Sequence, residues 1–507
     1  MSHRPTLSRL ASGIIALASL GAPAAAFAQA PPLSEALVVG AWTFRPSAEV
    51  RVRGEYRRDD IGVSAAPIAV QGDVSMLGLA GTSLPAPENA WALSERVRVG
   101  LKVDRGPVTG AVVIQDSRIF GDSTAAVPGN SFGAAPPGIQ GAAGLFPAAG
   151  FGTSIHEVYV DVHSRSERRM FLRVGRQRVV WGDGRLVGEI DWSPTPRTYH
   201  AARFGFQVGD FDIETMAALL VPPGTYMAPS DDPAAPLTPT RSSGAQLYGV
   251  DITWHFVPLL NAELTGLARV ARGLYNVGAP ALLSGDTYVI DARLFGDQRG
   301  FRYALEGAVE LGRVASFGVN RDIMAFAGAL RTSLETALPW HLTFDFHASF
   351  ASGDNDGSTP QSTLTRFDPI LGSELGNHGP MGLYGWSNML ETGGGLTAKP
   401  TEELKLKAGY RFAALASDEG PWISAALVHL GASDPATRDQ GGFPSAGGLP
   451  VLGHELDFGA TFTPWAPVEF RTGYSVFFFG EHMRARGGTG PMDAQHWVYL
   501  QTLVRAP

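Results

Sequence analysis

The chain has 507 residues, a formal net charge of −8 at pH 7, 44% hydrophobic and 10% aromatic residues, 62 glycines and no cysteine. The missing cysteines exclude disulfides and thiol chemistry, and a net acidic chain with dispersed basic residues is not built to coat nucleic acid. Beyond the N-terminal segment no run of about eighteen apolar residues remains for a membrane helix, whereas abundant glycine and aromatics at near-neutral hydropathy suit a strand-built barrel.

Arg4 and Arg9 precede an apolar run from Leu10 to Leu20 and a small-residue stretch ending Ala26-Phe27-Ala28. That order is expected of a secretory signal peptide over residues 1–28. Cleavage after Ala30 would place Pro31 at the new terminus, so cleavage after Ala28 is favoured. Residues 29–45 form a short N-terminal lead, and 46–507 a single barrel domain.

The pattern that carries the fold is a segment of about ten residues in which apolar side chains alternate with polar or small ones, assigning them to opposite faces of a strand. In "AEVRVRGEY", Ala48, Val50, Val52 and Tyr56 oppose Glu49, Arg51, Arg53 and Glu55. In "RVRVGLKVD", Val97, Val99, Leu101 and Val103 oppose Arg96, Arg98, Lys102 and Asp104. Similarly, "ELKLKAGYRF" sets Leu404, Leu406, Tyr410 and Phe412 against Lys405, Lys407 and Arg411, and "VEFRTGYSVFF" sets Val468, Phe470, Tyr474 and Val476 against Glu469 and Arg471.

In chain order, strands are predicted near 46–57, 93–104, 107–118, 154–163, 168–176, 200–208, 211–220, 245–255, 261–270, 286–296, 300–311, 322–333, 340–350, 386–398, 402–412, 453–463, 467–478 and 495–505, eighteen in all. Short turns such as "RGP" at Arg105, "GD" at Gly209 and "PWAP" at Pro464 follow the even strands; connections after the odd ones run mostly from fifteen to forty residues. The expected fold class is therefore all-β: a transmembrane antiparallel outer-membrane β-barrel of about 18 strands with short periplasmic turns and long extracellular loops. Counting Trp422 to Ala432 as a strand would break the alternation, so it is assigned to the loop after the fifteenth strand, where a short helix is one conformation open to it.

An arginine facing lipid near mid-bilayer costs roughly 2–4 kcal/mol, so Arg51, Arg53, Arg96, Arg98 and Lys102 are expected to face the lumen. There they either form an electropositive track or pair with inward acids such as Glu49, Glu55 and Asp104 to brace the barrel.

Between the fifth and sixth strands lies "VGRQRVVWGDGRLVGEIDWSPTPRTYHAARFGF", from Val174. On this topology it lies at the outer side or folds inward. Gly182, Gly184 and Gly188 permit tight turns, and Arg176, Arg178, Arg185 and Arg197 offer guanidinium forks that carboxylates, including Asp183, Glu189 and Asp191, can satisfy.

This stretch resembles the signature of the alginate export family, in which a "GRQ...GDGRL.G...W....R" run recurs. "ASGDNDGSTPQSTLTRFDPILGSELGNHGPMGLYGWSN" from Ala351, "ELKLKAGYRF" from Glu403 and "LGHELDFGATFTPWAPVEFRTGYSVFFFGEH" from Leu452 are similar to the family too, and the similarity spans Glu49 to Leu503. The resemblance implies an eighteen-stranded barrel in the outer membrane of a Gram-negative bacterium, with an arginine-rich, electropositive constriction that conducts an anionic uronate polymer outward. Carried over by motif and parity, the candidates for that constriction are Arg51, Arg53, Arg96, Arg98, Arg173, Arg203, Arg411 and Arg471, with Asp183, Glu189 and Asp191 matching the acidic part of the signature. One departure is the end of the chain: "HWVYLQTLVRAP" finishes on Pro507 rather than an aromatic residue, with Trp497 and Tyr499 left as an aromatic belt near the last strand.

Other motifs carry less. "GNSFG" at Gly129 fits a serine-hydrolase elbow but lacks the strand-turn-helix context. "GDNDG" at Gly353 clusters Asp354 and Asp356 as a calcium loop would, yet the twelfth position is Thr365 rather than glutamate. His156-Glu157 and His454-Glu455 lack the second histidine of a zinc protease and are expected to line the lumen. No catalytic residues, cofactor, metal or nucleic acid are expected. The function expected is a passive outer-membrane channel for an anionic polysaccharide or oligosaccharide, the alternative being a porin for uptake of a small organic acid or sugar. Outer-membrane lipid and periplasmic secretion components are the expected partners.

Overall fold

The structure, a computed structural model, describes residues 36–60, 88–121, 152–164, 170–221, 224–228, 238–242, 244–275, 282–316, 319–354, 363–371, 377–418, 420, 422–423, 429–430, 450–484 and 493–506. After a three-residue strand β1 (Leu37–Val39), the wall is built by β2 (Trp42–Asp60), β3 (Glu88–Arg105), β4 (Val108–Gly121), β5 (Gly152–His163), β6 (Met170–Gln177), β7 (Tyr199–Val208) and β8 (Phe211–Val221). It continues, past a small hairpin of β9 (Gly224–Ala228) and β10 (Thr238–Ser242), through β11 (Gly244–Val257), β12 (Leu260–Tyr275), β13 (Leu282–Gln298), β14 (Phe301–Ser316), β15 (Val319–Glu335) and β16 (Thr343–Ala351). β17 (Met389–Ala398) and β18 (Leu404–Ala414) follow, then the two-residue strands β19 (Trp422–Ile423) and β20 (His429–Leu430), then β21 (Val451–Trp465), β22 (Val468–Phe479) and β23 (Ala494–Ala506).

Each wall strand pairs antiparallel with its neighbours in the ring, and β23 closes onto β2 with Ala48 opposite Ala506 and Arg58 opposite His496. The result is the expected closed barrel of eighteen strands, and every predicted strand overlaps an observed one. Closure matters because a sheet edge left open in lipid would carry unpaired backbone groups at several kcal/mol each.

Period-two alternation sets the two faces. On β2 and β3, Val50, Val52, Val99 and Leu101 are exposed outward, while Arg51, Arg53 and Arg96 between them are at most 3% exposed. The outer face carries aromatics at the short-turn rim, among them Trp42, Trp254, Phe256, Trp340 and Trp465, and others such as Tyr56, Trp91 and Tyr248 toward the long-loop end. Such girdles sit where amphipathic rings meet the headgroups. Val99, 58% exposed, lies near the middle of this apolar band. The change Val99→Arg is expected to destabilise the folded barrel by about 2–4 kcal/mol, read as a lower denaturant midpoint in lipid vesicles; an unchanged midpoint would place β3 outside the bilayer.

Several expectations are corrected. The connections after β12 and β14 are only residues 276–281 and 317–318, because these strands continue pairing well above the predicted ends. Backbone pairing extends past the lipid, whereas the apolar alternation that marked the strands in sequence is required only within it. The Trp422 segment does lie in the loop after β18, but as an extended pair, Trp422 opposite Leu430, rather than a helix. His454, opposite Phe412, turns to the outer face, where its Nδ1 and the Tyr410 hydroxyl share a 2.8 Å hydrogen bond. Trp497 and Tyr499 also differ from expectation: they point inward and form no belt, Trp497 being 1% exposed against Trp192. Residues 1–28, the Gly129 motif and Asp356 lie outside the described residues.

Candidate functional site: the loop-filled lumen

Residues 178–198 leave β6 and fold into the barrel. Gly182 and Gly184 take positive φ, and Gly184 N–H donates to the Trp181 carbonyl at 2.9 Å, closing the turn that reverses the chain. Val179, Leu186 and Val187 are at most 5% exposed. From the connection between β16 and β17, residues 363–371 and 377–388 meet it from the other side with Phe367, Leu383, Tyr384 and Trp386 buried. Backbone contact between Leu371 N–H and the Leu186 carbonyl, a hydrogen bond from Arg197 to the Leu371 carbonyl, and Arg185 stacked 5.2 Å over Trp386 join the two. The lumen therefore contains an apolar core of its own.

The wall holds this insert with arginine. Arg51 donates to the carbonyls of Asp191 at 2.5 Å and Ser193 at 2.8 Å, and Arg53 to that of Trp192 at 2.8 Å while its guanidinium lies 4.0 Å over the Trp192 ring. Arg96 reaches the Asp191 and Ser193 carbonyls at 3.0 and 3.1 Å and pairs with Glu49 at 2.7 Å. Arg98 donates to Gln115 at 2.9 Å and to the Asp191 carboxylate at 3.1 Å. Four of the eight candidate arginines thus converge on residues 191–193. The other four have separate partners: Arg173 with Asp161 at 2.6 Å, Arg203 doubly with Glu214 at 2.7 Å, Arg411 with Asp457 at 2.5 Å, and Arg471 with Glu469 at 2.5 Å.

Among the signature residues, Arg178 pairs with Glu157 at 2.8 Å and Glu189 at 3.6 Å, Arg185 with Glu306 at 2.9 Å, and Asp183 with Arg293 at 2.7 Å. Arg176 falls within the strand predicted over 168–176. It lies on β6 itself, on the outward parity of Leu172 and Val174, beside His200 at 2.8 Å. Withdrawal from bulk water works against ionisation of Asp191, but the charges of Arg96, Arg98 and Arg51 outweigh it and hold the carboxyl below the usual range. Glu189 goes the other way: burial pushes it up, with Arg178 opposing and Asp191 adding to the rise.

Asp251, Glu263, Asp291, Glu306 and Glu310, all at most 7% exposed, lie on β11–β14, across the ring from β2 and β3. Sequence reading passed over these acids, although their inward parity was readable. The Trp192 contact with Trp497 and Tyr499, at 5.8 and 5.0 Å, had no sequence signal. Asp354, from the calcium-like motif, faces Arg321 at 3.0 Å, and among the described residues no group of three potential ligands gathers to hold a metal ion.

A closed outer-membrane barrel whose lumen is narrowed by its own inward loops belongs to the channel-forming class. A family model described as "Alginate export" matches residues 88–494, and the chain belongs to that family. Its barrel is also similar to those of Acinetobacter baumannii OccAB2 (TM-score 0.50, 12% identity, 91% of this chain and 97% of that one) and Pseudomonas aeruginosa OccD3, also called OpdP (TM-score 0.50, 8% identity, 91% of each). These likenesses concern the fold. No match is found among curated protein sequences.

Proposed function

We propose that the chain is a passive channel through which an alginate-like anionic polysaccharide or oligosaccharide crosses the outer membrane along the basic side of the lumen. The observation that carries this reading is a charge imbalance. Around residues 191–193, Arg51, Arg53, Arg57, Arg96, Arg98, Arg178 and Arg505 stand against Glu49, Glu55, Glu157, Glu189 and Asp191 among the described residues, seven guanidiniums to five carboxylates. The half-buried rings of Trp192 and Tyr499 beside Arg53 add apolar faces on which a sugar ring can lie. A carboxylate about 6 Å from a guanidinium gains only about 0.7 kcal/mol in water-like dielectric. A string of such contacts attracts a polymer without trapping it, as conduction requires, and salt weakens the attraction. Periplasmic secretion components would set the direction of movement, since a passive pore follows the gradient.

The test is single-channel conductance of the refolded barrel in a planar bilayer, with anion-to-cation permeability and block by added polyuronate. Anion preference and block, both weakened in Arg98→Ala, are expected. Cation preference, or indifference to polyuronate, would overturn the reading in favour of a porin for a small organic acid or sugar. That alternative draws on the filled lumen, which narrows the path.

A further inference from the structure

We propose that the outward face of β18, β21, β22, β23 and β2 carries a docking site for the phosphate groups of an outer-leaflet glycolipid, formed by Arg58, His496 and His454. The site lies across the wall from the lumen and is independent of what the channel conducts.

A histidine on a lipid-facing surface calls for a partner, because a polar ring nitrogen left unpaired in hydrocarbon is costly. His454 and His496 both fall on the outward parity, and the same device holds each of them. Tyr410 with His454, and Tyr474 with His496, share a 2.8 Å hydrogen bond through Nδ1, and the rings of the two pairs lie at 22° and 21° to each other. In both cases the tyrosine stands on one strand (β18, β22) and the histidine on the next strand of the wall (β21, β23). The tyrosine engages Nδ1 and orients the ring. Nε2 has no hydrogen-bond partner among the described residues.

Depth decides what that nitrogen meets. From Trp465 at the short-turn rim to His454, β21 runs eleven residues, which at about 3.3 Å each and a tilt of about 40° crosses about 28 Å of bilayer. The apolar band of such a barrel is only about 25 Å tall. His496, ten residues from Ala506 on β23, stands at a similar height. Both imidazoles therefore reach the headgroups on the long-loop side.

Charge selects the ligand. Arg58 is exposed on the same face, and the register sets it directly opposite His496. Among the described side chains, no carboxylate shares the outward face of these five strands. Other sectors at this end mix their outward charges: Arg118 pairs with Asp116 at 2.8 Å on β4, and Arg313 on β14 with Asp322 on β15 at 2.7 Å. A guanidinium beside two imidazoles suits a phosphate monoester, whose oxygens accept several charge-assisted hydrogen bonds. The exposed rings of Tyr56, Tyr410 and Tyr474 lie just below, where the sugar and upper acyl carbons of a glycolipid pack against amphipathic rings.

The test is titration of the purified barrel in a phosphate-free detergent, read by native mass spectrometry. The probes are lipid A with both phosphates, dephosphorylated lipid A and inorganic phosphate. Wild type is expected to hold the phosphorylated lipid about tenfold more tightly than the dephosphorylated one, the size of one charged hydrogen bond. Arg58→Gln combined with His496→Phe, which keeps an aromatic face, should abolish that preference, and Arg313→Gln should leave it intact. Tyr474→Phe removes only the hydroxyl that orients His496 and should lower the preference partway, so the inference stays testable if the double variant fails to fold. No preference in wild type, a preference that survives the double change, or an equal loss in Arg313→Gln would overturn the inference. Displacement of the lipid by millimolar inorganic phosphate would overturn it as well, since the site would then serve the free ion. Block by polyuronate should be the same in wild type and the double variant, which separates this outcome from any failure of the channel reading.

Discussion

Replacing Arg51 and Arg96 together by alanine is expected to release residues 191–194 from the wall and raise the unitary conductance several-fold, with loss of anion preference. The two side chains, 3% and 1% exposed, make two hydrogen bonds each to the Asp191 and Ser193 carbonyls, and Arg96 also binds Glu49. Bonds from a charged donor contribute about 1.5–3 kcal/mol each. Losing several at once costs on the order of 5 kcal/mol, enough to undock a loop. The apolar contacts with residues 363–371 and 377–388 then have to hold the segment without the wall. Single-channel recordings decide the matter: a conductance and selectivity equal to wild type would show that the apolar core, not the arginines, keeps the insert in place.

Glu391→Leu is expected to be the most destabilising single change at the other face of the insert. Glu391 is 1% exposed; it lies 2.7 Å from His378 Nδ1, 3.4 Å from the Tyr384 hydroxyl, 3.4 Å from His347 and 3.3 Å from Arg411. The carboxylate ties residues 377–388 to β16, β17 and β18. Deleting one member of a buried charged set strands the others and costs about 3–5 kcal/mol. The expected readouts are a lower guanidinium midpoint in detergent and faster proteolysis within residues 377–388. Glu391→Gln, which keeps a hydrogen-bonding side chain, should fall between Glu391→Leu and wild type. An unaltered midpoint for Glu391→Leu would remove the cluster from any role in holding the insert.

The barrel was legible because a bilayer enforces local rules. Lipid on one side and water on the other make every wall strand alternate, so "RVRVGLKVD" declares both its strand and its inner face. The lumen obeys no such rule. Arg51, Arg53, Arg96 and Arg98 were correctly placed on the polar parity of their strands, yet nothing local states that their guanidiniums seek carbonyl and carboxylate oxygens 93–142 positions away in the chain. The same gap explains Trp497, which belongs to an aromatic cluster with Trp192 rather than to a membrane belt, and Arg176, whose parity on β6 outweighs its place in the signature.

By itself the sequence determined the strand count, the faces of the strands that alternate cleanly and the family, since these follow from period-two patterning against a two-phase solvent or from motifs contiguous in the chain. The tertiary structure alone decided that residues 178–198 fold inward and share a core with residues 363–371 and 377–388, that wall arginines grip backbone carbonyls, and that acids on β12 and β14 pair with Arg293 and Arg185. Those outcomes depend on which loops meet inside a closed cylinder. Burial and charge pairing between distant segments, rather than any local preference, select that meeting.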